Sequence, residues 1–124
     1  MDNSFKNFGE FIANKREEKE MTLRDMAKKL DISAPYLSDV EKDRRNPFDL
    51  EKLEQLSNIL LLSEEERTIM FDLAGEKRDE VAPDLPNYIK KRDYVSAALR
   101  TARDLDAREE EWLKFVEELK RRKE

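Results

Sequence analysis

Two short segments with helical periodicity, Thr22–Leu30 and Ser33–Glu41, stand back to back with only Asp31 and Ile32 between them. Each opens on a hydroxyl residue that can accept a hydrogen bond from a backbone N–H of the first turn. Asp25 follows Thr22 at the spacing of a capping box. Pro35 falls in the first turn of the second segment, where its missing N–H costs nothing. Leu23, Met26, Ala27 and Leu30 share one face of the first segment, and Leu37 and Val40 share one face of the second. The sequence thus demands two short capped helices joined by a tight turn, and the rest of the chain has to fold around them.

The remaining periodicity is helical as well, and β-branched and aromatic residues form no alternating runs. Helix 1 is expected from about Ser4 to Lys19, with Phe8, Phe11 and Ile12 inward. Asn46-Pro47 breaks the chain after helix 3. Asp49 then caps helix 4, which carries Leu50, Leu53, Leu56, Ile59 and Leu60 on its inner face. Ser63-Glu64-Glu65-Glu66 is a further capping box with acids suited to a helix N-terminus. Helix 5 carries Ile69, Met70 and Leu73, and Gly75 reads as its C-terminal glycine. The polar stretch 76–86, with Pro83 and Pro86, reads as a linker. A short helix from about Asn87 to Lys91 follows. Asp93 then opens a helix bearing Val95, Ala98, Leu99, Ala102 and Leu105. Asp106 and Glu109 open a last one, bearing Trp112, Phe115, Val116 and Leu119 and ending on the basic run Lys120–Lys123. The expected architecture is all-α: a five-helix domain over 1–75, a linker over 76–86 and a C-terminal helical segment over 87–124.

Composition narrows the chemistry. The 124 residues include no Cys and no His. Disulfides, thiolate or imidazole metal sites and Cys- or His-based catalysis are therefore excluded. Two glycines cannot make a glycine-rich phosphate cradle. No cofactor is expected, and the abundant carboxylates fall at caps and on solvated faces, so the chain does not read as an enzyme. The net charge of −5 argues against an indiscriminate binder of nucleic acid or anionic membrane. That excess lies in residues 1–75, with 12 Lys+Arg against 17 Asp+Glu, whereas residues 76–124 hold 13 of each. Any nucleic-acid face must come from local clustering. Met1 to Glu10 lacks the apolar stretch of a secretory signal, and the run Ile59–Leu62 is far too short for a membrane span. A cytoplasmic protein is expected.

The spacing of Thr22–Leu30 and Ser33–Glu41 is that of a helix-turn-helix. With it come Phe8-Gly9, Ile12, Arg16, Met21-Thr22-Leu23-Arg24-Asp25-Met26-Ala27 and Ile32-Ser33-Ala34-Pro35-Tyr36-Leu37-Ser38-Asp39-Val40-Glu41. In this register the chain resembles the XRE family of helix-turn-helix regulators, the Cro and lambda-repressor type, over about residues 4–75. Asn46-Pro47 and the Leu-rich helix 4 also match. Asp31 and Asp43 stand where that family often has Gly, and Asp tolerates a left-handed backbone better than most residues. Lys15 stands where an apolar residue is common, and its stem can still cover core.

The resemblance implies that helix 3 enters the major groove of double-stranded DNA, with Ala34, Pro35, Tyr36, Ser38 and Asp39 toward the bases. An Asp can accept from a cytosine amino group, and Ala or Pro can touch a thymine methyl. Arg24, Lys28, Ser33, Lys42, Arg44 and Arg45 would contact phosphate. Taken singly, such cations usually mark a solvated face; the cluster Lys42, Arg44, Arg45 beside a helix-turn-helix favours phosphate. The resemblance also pairs Arg16 with Glu41 as a structural ion pair that fixes helix 3. In the C-terminal segment Val95, Leu99, Trp112, Phe115, Val116 and Leu119 exceed what a small appendage needs. Packing of the C-terminal helices on each other or on helix 5 accounts for part of this surface, and a homodimer interface suited to a palindromic operator for the rest. The functional expectation is a sequence-specific transcriptional repressor. The alternative is an antitoxin or other protein-binding module whose C-terminal helices hold a protein partner.

Overall fold

A computed structural model describes residues 5–122, and the expected N-terminal start at Ser4 and the basic Lys123 lie outside the described residues. The described residues form eight α-helices and no strand. The chain divides into two compact units, Met1–Pro86 and Asn87–Glu124.

The first unit holds α1 (Phe8–Glu18), α2 (Leu23–Leu30), α3 (Ala34–Glu41), α4 (Leu50–Ile59) and α5 (Glu64–Arg78). Helix α1 starts later than its periodicity suggests. Phe5, Lys6 and Asn7 are not helical, and the Asn7 side chain accepts from the Glu10 N–H at 2.8 Å, so Asn7 is the cap. Four further helices open on side-chain caps: Thr22 accepts from Asp25 N (3.0 Å), Ser33 from Tyr36 N (3.2 Å), Asp49 from Lys52 N (3.0 Å) and Ser63 from Glu66 N (3.1 Å). Only at Ser63 does the return bond close, with Ser63 N–H donating to Glu66 Oε1 at 2.9 Å. At Thr22 the anticipated capping box stays half-made, because the Asp25 side chain is one methylene shorter than the Glu or Gln that usually reaches back.

The stripes read from the sequence converge. Phe8, Phe11 and Ile12 of α1, Met26, Ala27 and Leu30 of α2, Leu37 and Val40 of α3, Leu53 and Leu56 of α4 and Ile69, Met70, Leu73 and Ala74 of α5 are buried in one core. Helix α3 packs on both α1 and α2, and α1 also packs on α5. Two further aromatics belong to this core. Phe71 lies on α5, and Phe48 comes from the loop after α3, where it meets Phe8 edge-on at 6.2 Å. Each such side chain contributes about 1.5–3 kcal/mol by leaving water.

Gly75 does not end α5. The helix runs through it to Arg78 and closes at Asp79, whose φ of 56° is left-handed, while Glu80 N–H donates back to the Gly75 carbonyl. The glycine is needed for another reason: a Cβ there would meet the Glu80 carbonyl at 2.8 Å and Ala82 N at 2.9 Å. The stretch read as a linker thus begins as the last turn of α5 and then folds back over it, with Ala82 against the core.

The second unit carries α7 (Asp93–Asp104) and α8 (Glu109–Arg121); α6 (Pro86–Lys90) begins at the boundary, one residue earlier than anticipated. Asp93 and Asp106 are not caps. Asp93 is the first residue of α7, after Arg92. Asp106 adopts a left-handed φ of 55° in the turn, and α8 opens after Arg108, whose N–H donates to Glu111 at 3.2 Å. Helices α6, α7 and α8 contain no buried residue.

Candidate nucleic-acid interface

Helix α3 is set against α1 by a close approach that only glycine allows. A Cβ on Gly9 would lie 2.4 Å from the Val40 carbonyl oxygen and 2.5 Å from that of Glu41. The end of α3 therefore rests on the backbone of α1. The same end is clamped by Arg16, whose Nε and Nη2 donate to the two Glu41 carboxylate oxygens at 2.9 and 3.0 Å while Nη1 donates to the Met21 carbonyl at 2.9 Å. The two side chains are 14% and 9% exposed, and the bond to Glu41 raises the guanidinium pKa further. A two-pronged pair of this kind fixes orientation as well as distance.

The turn before α3 has its own supports. Asp31 takes φ 58°, ψ 45°, and the Lys52 ammonium donates to the Leu30 carbonyl at 2.7 Å, so α4 holds the end of α2. Leu37 and Val40 are buried, and the opposite side of α3 carries Ala34, Pro35, Tyr36, Ser38 and Asp39 at or near the surface. Pro35 is exposed and the other four are half-buried.

Beyond α3 the chain turns through Asp43, whose φ of 63° is again left-handed. Its carboxylate does not stand free. The Lys77 ammonium sits 3.1 Å from it and also donates to the Asp43 carbonyl, while Arg78 donates to the carbonyls of Pro47 and Phe48. The last turn of α5 thereby holds the whole loop 43–48. Sequence reasoning missed Lys77 and Arg78 in this role, since they stand some thirty residues from their partners.

The cations read as phosphate contacts differ in their engagement. Lys42, Arg24 and Lys28 are exposed. Arg44 is 66% exposed with Nη1 3.7 Å from Asp39 Oδ1. Arg45 lies over the Tyr36 ring, 5.2 Å from its centroid, and the same ring meets Phe48 edge-on at 5.8 Å. Tyr36 is a platform linking the core to a surface arginine. Ser33 is exposed, and its Oγ caps Tyr36 while its proton stays available. Lys15 is nearly covered, salt-bridged to Glu66 at 2.8 Å and stacked near the rings of Phe5 and Phe11. The bond between them raises the Lys15 pKa and lowers that of Glu66.

The residues read as a dimer interface lie on α7 and α8. Val95 is half-buried, and Leu99, Trp112, Phe115, Val116 and Leu119 are exposed. No helix among the described residues is long and apolar enough to cross a membrane.

Among solved structures, a chain of a SinR protein/SinI protein complex is similar at 21% identity and a TM-score of 0.45, covering 94% of this chain and 97% of that one. No curated protein sequence matches the chain. The family model described as Helix-turn-helix matches residues 12–66, from the middle of α1 to the first turn of α5 and including the Arg16–Glu41 clamp. Over residues 12–66 the chain is therefore similar to the XRE-type helix-turn-helix family.

Proposed function

We propose that the chain is a sequence-specific DNA-binding regulator, a repressor, that reads the major groove with α3. The observation that carries this reading is the way α3 is held. Gly9, the Arg16–Glu41 pair and the Lys77–Asp43 pair fix the helix from behind. Its outer side stays open, and Lys42, Arg44 and Arg45 follow it, with the intervening Asp43 paired to Lys77. A rigidly seated helix with a cationic rim suits base readout flanked by phosphate contacts. Ala34, Pro35, Ser38 and Asp39 are the base readers, with Asp39 accepting from a cytosine amino group. Tyr36 orients Arg45 toward phosphate as well as bordering the bases. Arg24, Lys28, Ser33, Lys42, Arg44 and Arg45 supply the phosphate contacts, and the free N–H groups at the starts of α2 and α4 add to them.

The domain over 1–75 acts as a homodimer on a palindromic operator in the cytoplasm, with the segment after the 76–86 stretch bringing two copies together. The alternative, a protein-binding module of antitoxin type, draws on the same exposed apolar residues of α7 and α8. Selection of bound fragments from the source genome tests the main reading. The selected fragments should share a palindromic motif, and Asp39→Ala should change the preferred base at one position of each half-site. A loss spread evenly over all sequences would contradict readout by Asp39, and the absence of any enriched motif would contradict specific recognition.

A further inference from the structure

We propose that residues 87–103 carry a second nucleic-acid contact, in which Lys90, Lys91, Arg92 and Arg100 hold phosphates of duplex DNA outside the stretch read by α3, without regard to base sequence. The inference rests on the reading of the chain as a DNA-binding regulator and adds a surface which that reading does not use.

Its ground is a segregation of charge. The chain as a whole is acidic, yet residues 87–103 hold five cations against one acid, Asp93. Residues 104–118 reverse the balance, with seven acids and two cations. Such a layout would suit pairing between the two stretches, but the cations do not use it. Among the described residues of this unit the one ion pair joins Arg103 to its neighbour Asp104, at 3.0 Å. Lys90, Lys91 and Arg100 are exposed and enter no ion pair among the described residues. Arg92 is half-buried and serves the fold: its Nη1 donates to the Tyr88 carbonyl at 3.0 Å, and its guanidinium lies 4.0 Å from the centroid of the Tyr88 ring. Closing the end of α6 explains Arg92 and leaves the other three cations without an internal role.

Arg92, Ser96 and Arg100 stand four residues apart, so they form one row along α7, and Lys90 and Lys91 directly precede it. Arg92, already stacked on a ring, loses less freedom on meeting a phosphate than a mobile side chain would. A cationic row without carboxylate partners suits a polyanion whose charges repeat closely, and duplex DNA carries one per about 1.7 Å of its axis. Arg92 covers one face of Tyr88, which removes half of the platform on which an unpaired base would stack. Phosphate rather than base is thus the group recognised. The first 75 residues hold 12 cations against 17 acids, so the rim of α3 is a narrow electrostatic anchor that gains from a second one. Both surfaces belong to one chain, and docking of α3 therefore raises the concentration of phosphate that the second one meets.

The test uses the full chain and two duplexes longer than the motif, one selected and one random, across a salt series. Lys90→Ala, Lys91→Ala and Arg100→Ala combined should lower the salt slope by about two to three, near 0.9 for each lost contact. Affinity for both duplexes should fall by about tenfold or more, and the preference between them should stand. Lys114→Ala, Lys120→Ala and Arg121→Ala combined remove as much charge from α8 and should leave the slope unchanged. Circular dichroism confirms that each variant keeps its helices. An unchanged slope in the first variant would overturn the proposal, as would an equal drop in both, which would reflect net charge alone. A single strand and vesicles of phosphatidylserine in phosphatidylcholine serve as comparison probes. Loss of either by the first variant, with duplex binding intact, would also overturn it. Should reading by α3 fail, the two duplexes bind alike while the slope still falls; should the second contact fail, the preference stands with the slope unmoved. Absence of binding to either duplex would overturn both.

Discussion

The two units are written in the same helical code, yet one buries its stripes and the other exposes them. In α1–α5, Phe8, Ile12, Met26, Leu37, Leu53 and Met70 recur at helical spacing and lose nearly all contact with water. In α8, Trp112, Phe115, Val116 and Leu119 recur just as regularly and remain open. The difference lies in connection. The first unit has five helices joined by tight turns and tied by long-range bonds: Arg16 to Glu41, Lys15 to Glu66, Lys52 to Leu30, Lys77 to Asp43. The second has α7 and α8 and, among its described residues, no buried residue to close around. An amphipathic stripe therefore states that a face seeks cover, and the number of neighbouring helices decides whether the chain supplies it. The first unit uses its closure to seat α3, whereas the second leaves its apolar face exposed.

Substitutions can break this contrast. Leu37→Ala, inside the core beneath α3, should cost about 4 kcal/mol, while Leu119→Ala should change the stability of α1–α5 by less than about 0.5 kcal/mol. Hydrogen exchange of the α1–α5 amides measures both, and equal effects would erase the distinction. Glu41→Ala should cost about 3 kcal/mol, because it leaves the Arg16 guanidinium largely covered without its partner. Urea unfolding followed by circular dichroism gives the value. Gly9→Ala should cost about 1–3 kcal/mol as α3 moves off α1. It should also weaken DNA binding beyond its effect on folding, which titration of folded wild type and variant with one selected fragment measures.

The smallest effect concerns pH. The Glu66 carboxyl is lowered by Lys15, so its contribution is present above its ordinary 4.5 and is lost as the pH falls through the lower folded value. The Lys15 ammonium is raised by Glu66, so its contribution is present below its ordinary 10.5 and is lost as the pH rises through the higher folded value. Glu66→Gln should flatten the loss of stability below pH 4.5 by no more than about 0.5 kcal/mol, since the pair is partly solvated. Thermal melts from pH 3 to 6 read it directly.

Much of the first unit was legible. Thr22, Ser33, Asp49 and Ser63 announced four helix starts because their hydroxyl or carboxylate chemistry acts within one turn. Asp31 and Asp43 marked the left-handed turns that bracket α3. What escaped depends on distance along the chain. Phe48 lies in a loop, where no period marks a residue as buried. Gly75 resembled a helix terminator, whereas its bareness serves the segment that doubles back over it. Lys77 and Arg78 looked like ordinary cations of a last helical turn until the fold brought the 43–48 loop to them. Within the candidate site, helix and register followed from Ser33 and Pro35. The stack of Phe48, Tyr36 and Arg45 and the approach of Arg44 to Asp39 did not, for these are side-chain conformations that spacing does not encode.

Binding of the full chain to a selected fragment and to random DNA, each followed across a salt series, tests recognition by α3 most directly. A preference of about 10³-fold or more for the selected site is expected. Arg44→Ala and Arg45→Ala should weaken both DNAs alike, each reducing the salt slope by about one. Equal affinity for the two DNAs, or none for either, would contradict that recognition.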